Sequence, residues 1–150
     1  MPIQALIEYK EDRSGAPQSI FIHTASHDME SLFYVLIWIC TFYCGPGNQI
    51  RKLSRNQKFD IHQWIGTDPR LIADLKSGQM GRIDSLLDDI DPYFSDMRGV
   101  LKAYHRALWN PNRQNPDDYA AHVNSRTLHA EISNALLSGI NTVKETWEAR

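Results

Sequence analysis

Residues 32–44 form an apolar run, LFYVLIWICTFYC, that only Thr41 interrupts. If the run is helical, apolar side chains occupy every angular position and no side of the helix is suited to water. The run is shorter than the roughly 20 apolar residues that cross a bilayer, which favours a helix inside a protein core. We therefore predict a central helix over residues 26–44 that is buried on all sides, with Trp38 in the core.

Polar residues at both ends mark the limits of this predicted helix. Ser26 or Asp28 can act as its N-cap, because a side-chain oxygen at the first turn accepts from unpaired backbone N–H groups. The residues Gly-Pro-Gly-Asn at 45–48 end it, because glycine tolerates positive φ angles and proline cannot continue a helix. These limits leave most of the chain to surround the helix.

The rest of the chain predicts further helices. Its 150 residues fit one domain with a core of ordinary size. Asp-Pro pairs begin the segments 68–78 and 91–109, and an acidic N-cap followed by proline is typical of a helix start. Apolar residues recur every three or four positions along 92–109 and along 125–147, where Gly139 is a weak position. No strand is evident, so the predicted fold class is mainly α, with helices packed around one buried helix.

Composition argues against nucleic acid and membrane partners. The formal charge is −2, and the basic residues are scattered. A short basic cluster, best interpreted as a solvated loop, contains Arg51, Lys52, Arg55 and Lys58. The N-terminus has several charges and no apolar h-region, so we expect no signal peptide and an intracellular protein of the cytoplasm or nucleus.

No motif predicts a metal site. His23 and His27 are four residues apart, but no glutamate follows His23 as it does in a zincin helix. Cys40 and Cys44 are typical of small core residues in an apolar helix. The acids in 84–91 lack the glycine and the final glutamate of a calcium loop. We predict no metal ligand, and a metal-dependent helical enzyme stays a minor alternative.

One stretch resembles a known family. Residues 27–40, HDMESLFYVLIWIC, resemble the central helix in the large lobe of fungal-type protein kinases, where an HDLES-type stretch precedes an FYVLLWIC-type stretch. Residues 1–6, MPIQAL, resemble the end of the activation segment of that family. Segments around Trp64, at 92–94 and at 108–113 fit the later helices less specifically.

This resemblance implies a partial kinase domain over 1–150 without an N-lobe. Its parts are the end of the activation segment and a loop in 1–25, the central buried helix in 26–44, and the later large-lobe helices in 45–150. A central helix that lies at the periphery of the fold, with one wet side, would remove this assignment.

The resemblance also implies roles for four residues. Asp28 matches the acid that receives backbone N–H groups from the catalytic loop, and Ser31 matches the serine of the same helix start. Arg113 matches the arginine that pairs with a glutamate at the end of the activation segment. Because Gln4 occupies the position of that glutamate, the expected ion pair becomes a neutral hydrogen bond.

The sequence lacks the catalytic elements of a kinase. Phosphoryl transfer needs a Gly-rich loop, a strand lysine, a catalytic aspartate and an aspartate for Mg²⁺. No GxGxxG, HRD or DFG occurs in the chain. We therefore predict no catalytic residue, and we expect ATP and Mg²⁺ to belong to the intact family domain only.

Two functions remain open from the sequence. The first is a fragment of a fungal-type kinase, whose family activity is ATP-dependent phosphorylation of protein Ser or Thr, with this chain inactive by itself. The alternative is a kinase-derived helical interaction module or a pseudokinase-like scaffold. The expected partners are a protein substrate, another protein, or the missing kinase segments, which would cover apolar area beside the central helix.

Overall fold

The computed structural model describes residues 2–3, 25–45, 49–53, 59–66, 68–109 and 125–148. They form five α-helices, namely α1 (Ala25–Phe42), α2 (Pro69–Met80), α3 (Ile83–Asp88), α4 (Met97–Leu108) and α5 (Ser125–Glu148). Two 3₁₀ helices, Asp60–Trp64 and Pro92–Phe94, lie between them. Within these ranges the β structure is an isolated antiparallel bridge between Tyr43 and Ile50, so the predicted mainly α fold is confirmed.

The core lies where α4 meets α1 and α5. α4 packs against both of these helices, and α3 contacts α2 and α4. Tyr104 of α4 is fully buried, and its hydroxyl donates to the Met29 carbonyl oxygen at 2.8 Å. Its ring packs edge-on against Phe33 with centroids 5.5 Å apart, a geometry that aromatic rings favour. The two rings therefore join α1 to α4.

One side of α1 is exposed, so the predicted burial on all sides is wrong. Its buried face contains Phe33, Ile37 and Cys40, among others. On the other side Val35 is 51% exposed and Trp38 is 42% exposed. Two helices, α4 and α5, contact α1. Both are amphipathic, and they cover one side of it. An apolar run without a polar side cannot indicate which of its sides will be covered.

The first Asp-Pro pair begins a helix as predicted. The Asp68 side chain accepts from the Arg70 backbone N–H at 2.9 Å, and proline occupies the first turn of α2. Gly78 does not end this helix, which continues to Met80, with Gly81 at its C-cap. The intrinsic preference of one glycine is smaller than the gain from burying Met80, so the helix continues past it.

The second Asp-Pro pair begins a shorter element than predicted. Asp91 accepts from the Tyr93 backbone N–H at 2.9 Å and caps a 3₁₀ helix, and α4 starts separately at Met97. The predicted single helix over 91–109 is therefore two elements. The preceding helix α3 overlaps the acidic stretch 84–91, where the sequence predicts no helix.

Gly139 is a point of close contact between α5 and α4. A Cβ atom at this position would lie 2.0 Å from Cγ2 of Val100. Any larger residue must therefore displace Val100 or separate the two helices. The residue that the sequence marks as a weak position in the helix is needed for its packing.

The stripe predicted on α5 is buried along its first half. Leu128 and Ile132 are buried and Leu136 is partly buried against the core. Ile140 is 59% exposed. The side chains of Val143 and Trp147, which continue the stripe, lie outside the described residues.

Arg51 is a fixed part of the fold rather than a solvated loop residue. Its Nε lies 3.2 Å from Oδ2 of Asp91, and its Nη1 donates to the backbone oxygens of Asp89 at 2.8 Å and Thr41 at 3.4 Å. These partners lie on two segments, the last turn of α1 and the connection after α3, which the guanidinium holds together. Of the other residues of the predicted basic cluster, Lys52 is exposed. Arg55 and Lys58 lie outside the described residues.

Candidate functional site

The exposed face of α1 is defined by Asp28, Leu32, Val35 and Ile39. Steps of four, three and four residues place these side chains on one side of a helix. The three apolar members are 37% to 51% exposed. An exposed apolar stripe of this length is typical of a surface that another element covers.

Trp38 borders the exposed face and is held by neighbouring rings. Its centroid lies 5.6 Å from that of Phe42 and 5.5 Å from that of Tyr43. Because these contacts restrict its rotamers, little side-chain entropy remains to be lost when a partner covers it.

The structure places two of the four predicted anchor residues. Asp28 is exposed in the first turn of α1, where a carboxylate interacts favourably with the helix dipole. Ser31 is half-buried one turn later. Gln4 and Arg113 lie outside the described residues. The predicted roles of all four therefore stay predictions.

A buried polar cluster lies on the opposite side of α1. It is defined by Glu30, Tyr34, Trp64, Lys76 and Gln79. Oε1 of Glu30 accepts from the Ile3 backbone N–H at 2.8 Å and from the Tyr34 hydroxyl at 2.9 Å. Glu30 is 2% exposed, so these donors replace water around its carboxylate.

Lys76 of α2 brings a positive charge into this cluster. It is 5% exposed, and its Nζ lies 3.9 Å from the Tyr34 ring centroid and 5.3 Å from that of Trp64. Both distances suit a cation–π interaction, which is stronger where water is excluded. The indole Nε1 of Trp64 donates to Oε1 of Gln79, which fixes the orientation of this ring.

Burial changes the ionisation of both charged groups. It raises the pKa of the Glu30 carboxyl, and hydrogen bonds from Ile3 and Tyr34 and the charge of Lys76 oppose this effect. Burial also lowers the pKa of the Lys76 ammonium to about 8, against the attraction of Glu30. The two groups are therefore an electrostatically coupled pair in a region of low dielectric.

Sequence reasoning did not single out this pair. Glu30 lies within the kinase-like motif, and a carboxylate next to an apolar run is the signal that could have indicated it. Lys76 lies 46 residues further on, in an amphipathic helix. No sequence spacing connects the two residues, since tertiary packing brings them together.

Two of the candidate metal-binding residues, His27 and Cys40, are buried in α1. His23 lies outside the described residues. Cys40 and Cys44 are free thiols, and burial raises the pKa of Cys40 to about 12, which makes it a poor nucleophile. In the described ranges, no three His, Cys, Asp or Glu side chains are grouped as metal ligands would be.

The chemistry of the two sites differs. The exposed face offers apolar contact area beside one carboxylate, which suits docking of a polypeptide segment. The charged groups of the buried cluster are largely shielded from solvent, and Glu30 binds the chain's own backbone at Ile3. No helix in the described part of the chain has the length and hydrophobicity to cross a membrane. Comparison with family models, curated proteins and solved structures finds no match to this chain.

Proposed function

We propose that this chain is a non-catalytic part of a fungal-type protein kinase large lobe, and that the exposed face of α1 binds the kinase segments that carry the catalytic loop. The observation that carries the proposal is the position of Asp28 on the same side of α1 as Leu32, Val35 and Ile39. The resemblance assigns Asp28 to the catalytic-loop backbone, so the apolar stripe beside it is the area that such a loop and its flanking segments would cover.

α1 does not lie at the periphery, because α4 and α5 pack against it and Phe33 and Ile37 are fully buried, but it does have a wet side. What supports the proposal is the chemistry of that side. Its exposed residues are large and apolar rather than polar, and water is an unfavourable environment for them. A helix that evolved to face solvent would carry polar residues at 32, 35 and 39.

The chain alone is expected to transfer no phosphoryl group. The reaction depends on positioned metal ions and a nucleophile in line with the γ-phosphate, and the sequence has no HRD, DFG or GxGxxG motif for either task. In this proposal ATP and Mg²⁺ bind to the other kinase segments, and the chain contributes scaffold and substrate-side surface.

The test begins with transcripts that contain the Met1 codon. The proposal expects an upstream reading frame that encodes a catalytic loop and a metal-binding aspartate. Co-expression of that upstream segment with the present chain should give a complex that elutes as one species. Val35→Glu on the exposed face should abolish the complex, and Leu137→Glu, at an exposed position of α5, should leave it intact. Spliced transcripts that begin at Met1, with no kinase frame before it, would falsify the proposal.

The second candidate is a helical interaction module that binds an unrelated protein. The same exposed face favours it, because a stand-alone module would also present this apolar area to a partner. The two candidates differ in what restores good behaviour in solution. A kinase part should aggregate or self-associate until the upstream segment is added. A module should stay monodisperse by itself and should not bind that segment.

A further inference from the structure

Glu30 connects three parts of the chain through one carboxylate. Its Oε1 accepts from Ile3, which is 27 residues earlier, and from Tyr34, one helical turn later. Lys76 of α2 lies beside the same tyrosine, with its Nζ 3.9 Å from the Tyr34 ring centroid. A buried carboxylate that loses such a donor is left with an unsatisfied charge, so each contact holds the others in place.

We propose that Glu30 anchors residues 2–3 to α1, with Lys76 of α2, whose ammonium lies against the Tyr34 ring, as the neighbouring counter-charge. Glu30 thereby performs the task that the sequence assigned to Gln4 and Arg113. The name of the anchored segment, the end of an activation segment, rests on the proposed function. The anchoring itself rests only on contacts between described residues, so either proposal can fail without the other.

The geometry favours Glu30 over a neutral anchor. A backbone N–H that donates to a buried carboxylate forms a charge-assisted bond, roughly twice as strong as a bond to an amide oxygen. Tyr34 and the ring of Trp64 surround Lys76, so the ammonium cannot leave the pair without losing its cation–π contacts. Glu30 is therefore a positioning residue for the segment and not a catalytic one.

The test is amide hydrogen exchange by NMR on the full chain. Glu30→Leu removes the acceptor and should speed exchange at the Ile3 amide by about tenfold or more, while the Ile37 amide, inside α1, changes much less. Glu30→Gln keeps a neutral oxygen acceptor and should speed exchange at Ile3 by an intermediate amount, because the charge-assisted part of the bond is lost. Unchanged exchange at Ile3 in Glu30→Leu overturns the proposal.

Arg113→Leu is the matched control, because it tests the anchor that the sequence predicts. We expect no change at the Ile3 amide in this variant, and an acceleration equal to that of Glu30→Leu overturns the proposal. If Glu30→Leu fails to fold, Glu30→Leu combined with Lys76→Leu removes both charges and should restore folding. Slow exchange at Ile3 in that folded double variant also overturns the proposal.

Discussion

The exposed face and the buried polar cluster lie on opposite sides of the same helix, yet their composition is the reverse of what burial usually dictates. The side in water carries Leu32, Val35 and Ile39, and the buried side carries Glu30. Each inversion has a local explanation. The buried carboxylate has donors and a counter-charge, whereas the described residues leave the apolar side uncovered. The comparison teaches that the buried charge is satisfied by described residues of the chain itself, whereas the apolar side is the one that the proposed partner would cover.

The largest expected effect contrasts Phe33 with Trp38. Phe33 is fully buried between Tyr104 and Trp109, with ring centroids 5.5 Å and 5.3 Å away. Phe33→Ala should therefore lower the free energy of unfolding by about 3 to 5 kcal/mol, because it leaves a cavity. Trp38→Ala should lower it by much less. Urea denaturation of both variants gives the measurement, and equal losses would contradict the assignment of the two faces.

The next effect tests whether Glu30 and Lys76 act as a pair. Lys76→Met leaves a buried carboxylate without its counter-charge, and we expect it to lower the free energy of unfolding by about 3 kcal/mol. In a Glu30→Gln background the same change should be nearly neutral or stabilising. Denaturation of the two single variants and the double variant completes the thermodynamic cycle. Additive effects would show that the residues are not coupled.

A smaller effect compares two influences at Gly139, its packing against Val100 and the intrinsic preference of a helix for alanine over glycine. Alanine favours a helix over glycine by about 1 kcal/mol, so preference alone predicts that Gly139→Ala stabilises α5. The contact with Val100 predicts the opposite, since overpacking costs about 1 to 3 kcal/mol. We expect a lower thermal midpoint for Gly139→Ala. The matched control is Gly78→Ala in α2, where a Cβ would meet nothing within 4 Å and the midpoint should rise.

A further expected effect is a pH dependence of stability. The pKa of Lys76 is about 8 in the fold and returns to its ordinary value of 10.5 on unfolding. Between these values the unfolded chain binds the additional proton, so the free energy of unfolding should rise with pH from about 8 to 10. Lys76→Met should remove this rise. Above pH 10 the raised pKa of Tyr104, about 12, acts in the opposite direction and limits the useful range.

The sequence predicts those elements whose signals are local. Asp68 and Asp91 cap the elements that follow them, and the apolar period of α5 marks a helix that the structure contains. Interactions between distant residues carry no such signal. The pair of Glu30 and Lys76 and the partners of Arg51 depend on tertiary packing. The covered side of α1 could not be predicted either, because its apolar run is continuous around the helix.

Arg51 couples the fraying of two helix C-termini, those of α1 and α3. Its Nη1 donates to the carbonyl of Thr41, in the last turn of α1, and to that of Asp89, which follows the last residue of α3. Both carbonyls lie at the negative ends of helix dipoles, so one cation serves two C-termini. Fraying at one terminus would withdraw the guanidinium from the other. A lysine at this position, with a single point charge, would leave the two ends to fray independently.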